Sequence, residues 1–388
     1  MAAGVIPAER RVRVRLVEDP AEWGALVGAS PRGGVLQSYE WGEFKALLGW
    51  RPIRLLVEEG SRPLAGAQLL LRPSPLGTVA YAPRGPLADP GDPAAVDQVF
   101  AALHREARRA GAFFLKIEPD WPHSAALAAE LAGRGFRPGA CVQPRSTIVV
   151  DLTAAPEELY ERLSRRARYN VRLAERHGLR CRDGTASDLP EFYRLLAATA
   201  RRGHFYVHPE RYYQELWRRF SAVGAAHLLL VSLNEEALAA TMFLTAGGSA
   251  YQLYSGSGAD QRRLKPNDLL QWQALLRARE LGCRAYDLWG IPDEFGRAET
   301  EGVRDARPCP DERAVAGTFT GVYLFKRNFG GVVARNVGAL DYAYSPARYW
   351  LWRSFLPAVG RLRELAADRA TLTSGQPAGR PAMEAYET

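Results

Sequence analysis

The sequence predicts an α+β protein made of two tandem copies of one unit, each a mostly antiparallel mixed sheet flanked by helices. Three observations point there. The chain has 388 residues, about twice the length of a common folded domain. Its residues are 47% apolar and 24% charged, a globular balance that excludes intrinsic disorder and fibrous repeats. The order strand, helix, strands, helix, strand also occurs twice, offset by roughly one domain length.

Taken in order, RVRVRLVE (11–18) alternates as a strand does, and DPAEWGALVGA follows with an Asp-Pro helix start and helical spacing. Two strand-like runs at 51–60 and 64–74 make a hairpin, and a helix at 93–111 leads into the strand AFFLKIEPD. The second half opens with GLRCRDG (178–184) and the helical ASDLPEFYRLLAATARRG. A hairpin at 225–248 and a third strand at 249–257 come next, and a helix at 266–282 leads into the strand CRAYDLWGIP.

No stretch approaches the roughly 18 uncharged apolar residues of a membrane helix, and the N-terminus has no apolar segment before its arginines, so a cytoplasmic protein is expected. Cys141, Cys181, Cys283 and Cys309 lie far apart, with no CxxC pair and no His at ligand spacing. They suggest neither a zinc site nor a disulfide framework, and no metal or cofactor is expected. His204 and His208 stand four apart, but Pro209 and the lack of a third ligand argue against a metal there. The net charge of +8 favours an anionic partner: nucleic acid, a phosphorylated small molecule or a membrane face. Of 51 basic residues only Lys45, Lys116, Lys265 and Lys326 are Lys. Where Arg is the default cation, a Lys marks a position that chemistry can require.

The element order is that of the GCN5-related N-acyltransferase fold, so the predicted class is two tandem domains of that kind. The turn by which such folds cradle the coenzyme A pyrophosphate, Q/R-x-x-G-x-G/A, has no complete match. The nearest segment, Arg108 to Phe113, ends a helix where it should begin one and places Phe where a small residue is needed. Coenzyme A is disfavoured.

Several short segments carry a more specific signal: Gln37-Ser38-Tyr39-Glu40-Trp41-Gly42-Glu43-Phe44-Lys45, Pro83-Arg84-Gly85-Pro86, Lys116-Ile117-Glu118-Pro119, Arg168-Tyr169-Asn170-Val171-Arg172, Tyr286-Asp287-Leu288-Trp289-Gly290-Ile291, and Gly321 through Gly331. In this order, over residues 12–345, they resemble the Fem family of non-ribosomal peptidyltransferases. The resemblance implies two acyltransferase-like domains that use aminoacyl-tRNA to extend the stem peptide of a peptidoglycan precursor. It also implies a first domain at 1–148 completed by 332–366, a second at 149–331, and a monomer. Residues 367–388 are small, polar and Pro/Gly-containing, a composition that predicts disorder.

Such a reaction joins an amine to an activated ester, so it needs no covalent enzyme intermediate, and the absence of a nucleophile elbow or Cys-His pair fits. What it needs is positioning and a cation at the developing oxyanion. Lys326 is the candidate: Val322-Tyr323-Leu324-Phe325-Lys326 reads as an apolar strand ending near Gly330-Gly331. The resemblance points to Phe325 and Lys326 together, whereas on sequence alone Lys326 reads as a surface Lys ending a strand. Glu118 is the candidate carboxylate for the stem-peptide amine, although the family usually has Asp there. The plainer alternative is an ion pair of Glu118 with Lys116 or a nearby Arg.

Lys45, on a predicted helix four residues beyond Trp41, and Arg202 or Arg211 are candidates for the acceptor's diphosphate, or else solvated helix charges. Tyr254 and Asp287, with Tyr251 and Trp289, lie on adjacent predicted strands and can line a substrate groove. Residues 161–182 hold eight Arg against two Glu, with Arg165, Arg168, Arg172 and Arg176 at three- or four-residue steps on one helical face while Leu159, Leu163 and Ala167 face inward. Such a ridge suits the phosphates of a tRNA acceptor stem. The expected activity is therefore transfer of an amino acid from aminoacyl-tRNA to a muramyl-pentapeptide precursor, nucleotide- or lipid-linked. The alternative is an acyl-CoA-dependent N-acyltransferase acting on another envelope or exopolysaccharide precursor. A lipid-linked acceptor would bring peripheral contact with the inner membrane face, for which the aromatic and Arg-rich segment after Pro346 is suited.

Overall fold

The structure, a computed structural model, describes residues 12–30, 33–203, 205–259, 261–302 and 316–354, with the side chains of 316–319 not described. His204, Cys309 and the tail at 367–388 lie outside the described residues.

The first unit runs β1 (Val12–Leu16), α1 (Pro20–Ala29), α2 (Tyr39–Ala46), β2 (Arg51–Glu59), β3 (Arg62–Ser74), β4 (Gly77–Arg84), α3 (Pro93–Arg109), β5 (Ala112–Pro119), α4 (Ala125–Gly133) and β6 (Arg137–Pro138). Local chemistry sets its helix starts: Asp19 and Ser38 accept backbone N–H groups at the heads of α1 and α2, and Asp92 with Pro93 starts α3.

The second unit runs β7 (Ser146–Asp151), α5 (Pro156–Arg162), α6 (Arg165–Arg176), β8 (Arg180–Asp183), α7 (Leu189–Gly203), α8 (Glu210–Ser221), β9 (Ala226–Leu233), β10 (Glu236–Ala246) and β11 (Ser249–Ser257). It continues through α9 (Pro266–Glu280), β12 (Ala285–Ile291), α10 (Asp293–Glu301), α11 (Ala316–Lys326) and β13 (Val332–Arg335), after which β14 (Leu340–Ala343) belongs to the first unit.

Two seven-stranded sheets result, ordered β1-β2-β3-β4-β5-β14-β6 and β8-β9-β10-β11-β12-β7-β13. They correspond strand for strand, each with one parallel pair, β4/β5 and β11/β12, among antiparallel neighbours. The sixth strand of each is exchanged. β14 arrives from the far end of the chain to lie between β5 and β6, and β7 leaves the first unit to lie between β12 and β13.

Three expectations need correction. The second sheet begins at Ser146 and includes Val332–Arg335, so the return to the first unit starts with β14 rather than at residue 332. The predicted basic helix is two helices: Leu163 breaks the run, and Ser164 caps α6 by accepting the Ala167 N–H at 3.1 Å. The expected strand before Lys326 is helix α11, because a short apolar run does not distinguish a strand from a packed helix, and tertiary contacts decide.

The two units share one apolar core. Phe44 and Phe114 of the first cluster with Phe192, Tyr213, Leu216 and Phe220 of the second, and the Phe44 ring meets Tyr212 edge-on at 4.8 Å. Burial of that size fixes how the two sheets sit and hence the geometry of the junction between them.

Candidate active site

The two parallel pairs differ in one respect. In the first sheet β4 and β5 stay in register from Val79↔Phe114 to the strand ends at Arg84↔Pro119. In the second, β11 and β12 pair only as far as Tyr251↔Asp287, after which β12 bulges against β7 and the strands part. Trp289 lies in that bulge at φ +63°.

Asp287 and Lys326 meet where the strands part. The Asp287 carboxylate accepts the Trp289 N–H at 2.7 Å and lies beside the Thr147 hydroxyl of β7. Burial pushes the Asp287 carboxyl up, against the Thr147 hydrogen bond and the charge of Arg84. Lys326, the last residue of α11, donates its Nζ to the carbonyls of Gly290 at 2.7 Å and Trp289 at 3.1 Å. Burial lowers the ammonium pKa to about 8, with Asp287 pulling the other way. Its neighbour Phe325 points elsewhere, packing its ring on Phe329 at 5.1 Å in the second unit's core.

The first unit reaches the same place through the ends of β4 and β5. Arg84 is buried, donates Nη2 to the Pro144 carbonyl at 2.8 Å and Nη1 to Asp120 at 3.3 Å, and stands 5.3 Å from the centre of the Trp289 ring. Asp120 also accepts the Asn336 side-chain amide. The Tyr251 hydroxyl donates to the Gly33 carbonyl at 3.2 Å, and its ring meets Trp289 edge-on.

Glu118 lies deeper, 3% exposed, and accepts the Tyr81 hydroxyl and the N–H groups of Val142 at 2.7 Å and Gln143 at 3.1 Å. Burial raises its pKa, with the Lys116 field and those hydrogen bonds opposing. Lys116, whose field acts on Glu118, pairs with Asp341 of β14 at 2.8 Å and donates to the Ala140 carbonyl.

The phosphate candidates lie apart from this cluster. Lys45 is buried, its ammonium 5.4 Å from the Trp41 ring centre and 6.0 Å from that of Tyr212, so it is no solvated helix charge. The Tyr212 and Tyr254 hydroxyls are 3.1 Å apart. Arg202 is anchored to the end of β11 through the Ser257 carbonyl at 2.7 Å; burial and the charges of Arg262 and Arg201 lower its pKa. Arg211 is exposed on α8. His208 is buried and stacked on Tyr212.

On α6, Arg165, Arg172 and Arg176 are exposed, and with Arg168, Tyr169 and Glu175 they line a groove of about 870 Å³. Arg168 itself turns back to the Leu163 and Glu161 carbonyls at the end of α5. The ridge begins close to Lys326, because Ser164 donates its N–H to the Asn328 carbonyl at 2.9 Å.

Sequence reasoning thus singled out Lys326, Asp287 and Glu118, but gave no role to Arg84, Thr147, Tyr81 or Asn336. Arg84 carried a signal in Pro83-Arg84-Gly85-Pro86, a strand end running into a turn. Thr147 and Tyr81 sit in strands that read as ordinary sheet.

Comparison with known proteins agrees with this architecture. The FemAB family model matches residues 19–131 and an acetyltransferase (GNAT) domain model matches residues 161–297. Lipid II:glycine glycyltransferase of Staphylococcus haemolyticus is 24% identical over 88% of this chain and 96% of its own, and that of Staphylococcus aureus (strain MRSA252) is 23% identical with the same coverage. The crystal structure of FemX superposes with a TM-score of 0.75 at 22% identity, covering 87% of this chain and 99% of that one. With one match on each unit and relatives aligned along nearly their whole length, the chain is similar to FemAB-family proteins and has the fold of a tandem pair of GNAT-type units.

Proposed function

We propose that this protein transfers an aminoacyl group from charged tRNA to an amine on the stem peptide of a peptidoglycan precursor, with lipid-linked muramyl pentapeptide as the acceptor. The observation that carries this reading is the Lys326 ammonium, held on two carbonyls beside Asp287 where β11 and β12 part. The relatives named lipid II:glycine glycyltransferase support the choice of acceptor.

In this mechanism the amine nitrogen attacks the ester carbonyl carbon, and the carbonyl oxygen gains negative charge beside Lys326. Collapse expels the terminal ribose oxygen of the tRNA, and the proton lost by the amine balances the one that oxygen gains. A cation already in place needs no reorganisation as the charge develops, which is the source of the rate gain. Phe325 serves by anchoring the end of α11, and Glu118 by fixing Tyr81 and the 142–143 backbone from below. The exposed arginines of α6 take the tRNA phosphates next to the reacting end. Arg202, crowded by Arg201 and Arg262, is placed to take an anionic group of the acceptor, whose charge would relieve that repulsion. Arg211 supplies a further solvent-facing cation, while Lys45 and Tyr254 form the aromatic-lined wall beside them.

A lipid-linked acceptor calls for contact with a membrane surface. Among the described residues no helix is long and apolar enough to cross a membrane. In the helix at 346–354, Tyr349 and Trp352 pack on Phe114 and Phe113, which leaves the exposed Trp350 as the ring available to a bilayer.

The test offers purified protein either charged tRNA or acyl-CoA, with nucleotide-linked and lipid-linked muramyl pentapeptide in parallel, and reads product by mass spectrometry. Ribonuclease-sensitive product on the lipid-linked acceptor is expected. Ribonuclease-resistant, acyl-CoA-dependent product would instead support the other N-acyltransferase reading.

A further inference from the structure

Six residues other than glycine have positive φ among the described residues: Arg84, Asn234, Glu235, Gln261, Lys265 and Trp289. Asn234 and Glu235 make the β9–β10 turn, and Gln261 and Lys265 bracket the single 3-10 turn at 262–264 that leads into α9. Arg84, at +51°, and Trp289, at +63°, serve neither a hairpin nor a helix start, and they face each other across the junction of the two units. An L-residue stays in that conformation only where its surroundings over-determine it, and such residues gather at functional sites.

The surroundings of Trp289 are specific. Its N–H goes to Asp287, its carbonyl receives the Lys326 ammonium, and its ring contacts both the Arg84 guanidinium and, at right angles, the Tyr251 ring. Arg84 is itself fixed, with one arm of its fork on the Pro144 carbonyl and the other on Asp120. A planar fork can make both contacts while facing a ring, which a lysine cannot do.

We propose that Arg84 is a positioning residue for Lys326: from the first unit it clamps the left-handed turn at Trp289, and that turn supplies the two carbonyls on which the ammonium rests. The first unit is then part of the second unit's reaction centre, acting through the Trp289 turn. The inference rests on the reading of Lys326 as the reacting cation. The charged group whose field acts on the Lys326 ammonium is Asp287 on β12; Glu299 on α10 is occupied by Tyr323 and Arg327, and Arg84, paired with Asp120, faces the Trp289 ring.

With four lysines in the chain, protein carrying carbon-13 lysine gives a spectrum in which the Lys326 side chain is assigned by loss of its signal in Lys326→Arg. The wild-type ammonium should titrate near 8. In Arg84→Gln the turn relaxes, Lys326 meets water, and its midpoint rises by one unit or more toward the ordinary lysine value. Turnover should fall at least tenfold with KM for both substrates within about twofold. Arg84→Lys keeps the charge without the fork and should show the same rise; a return to the wild-type midpoint would mean that charge alone acts, and would overturn the clamp. Trp289→Leu, which removes the ring face from the other side, should reproduce the rise and decides the matter if the Arg84 variants do not fold. A midpoint that stays near 8 in folded variants also overturns the proposal. Absence of transfer by the wild-type protein would instead sink the functional reading, because the titration does not depend on turnover.

Discussion

An ammonium resting on two backbone carbonyls, away from water, gives up its proton more readily than one in solvent. Lys326 is therefore charged only on the acid side of about 8. If it stabilises an oxyanion, transfer should fall as pH rises through that value. Because Asp287 favours the charged form, Asp287→Asn should move the falling limb to lower pH, and a pH profile of kcat for both proteins checks it. Lys326→Met should lower kcat by about a hundred- to a thousandfold, with acceptor binding changed far less, and Lys265→Met serves as the control. Lys326 and Asp287 were legible because each sits in a short motif in a chain where Lys is rare. Arg84 also sits in a short motif, but its role was not legible, because what defines that role is a contact with Trp289, some two hundred residues away, and a backbone angle that composition does not encode. The same holds for the Lys116–Asp341 pair, whose partner is supplied by a strand from the far end of the chain.

At the scale of elements, strands and helices with strong periodicity were legible: β1 to β3, α3, β5 and β8 to β12 fall where alternation and capping put them. The strands β4, β6, β7, β13 and β14 were not, because their stretches show no alternation or capping that stands out and their pairing is set by neighbouring strands. The basic ridge shows how local chemistry refines a pattern. All four arginines are on α6, but Arg168 is committed to the carbonyls that end α5, while Arg165, Arg176 and Arg172, the last over the Tyr160 ring, are exposed to solvent and can meet phosphate. Replacing those three with Gln should weaken tRNA binding and reduce the slope of log affinity against log salt by about two units, measured by filter binding across a salt series. Arg168→Gln should change that slope less but cost about 1–2 kcal/mol of stability, by leaving the α5 carbonyls without their donor. Equal slopes for the wild type and the triple variant would return α6 to the role of a solvated face.

For the whole molecule, the exchanged sixth strands determine how it comes apart. β14 is an interior strand of the first sheet, and β7 is an interior strand of the second. The first sheet therefore cannot be completed without chain that has first passed through the second, whereas the second is built from the continuous run β7 to β13. The link is reinforced by the shared core and by Lys116 and Asp341, a pair enclosed at 0% and 3% side-chain exposure, to which Tyr349 donates its hydroxyl at 2.7 Å. Tandem domains joined only by a linker would melt in two steps, whereas this arrangement should melt in one, with the calorimetric enthalpy equal to the van't Hoff enthalpy. Removing Lys116 leaves Asp341 buried and unpaired, so Lys116→Met should cost about 3–5 kcal/mol, and it should lower the single transition without splitting it. Truncation after Ser345 keeps β14 but discards Tyr349 and the Trp352 contacts, so it should destabilise the fold while leaving one transition. Truncation after Gly338 removes β14 and should unfold the second unit along with the first, because the apolar face of Phe114 that the two share is left without its cover. Differential scanning calorimetry of these three proteins checks the argument: a second, separately melting transition in any of them would mean that the units are coupled by proximity alone and that the exchange is not what holds the junction at Arg84 and Trp289 together.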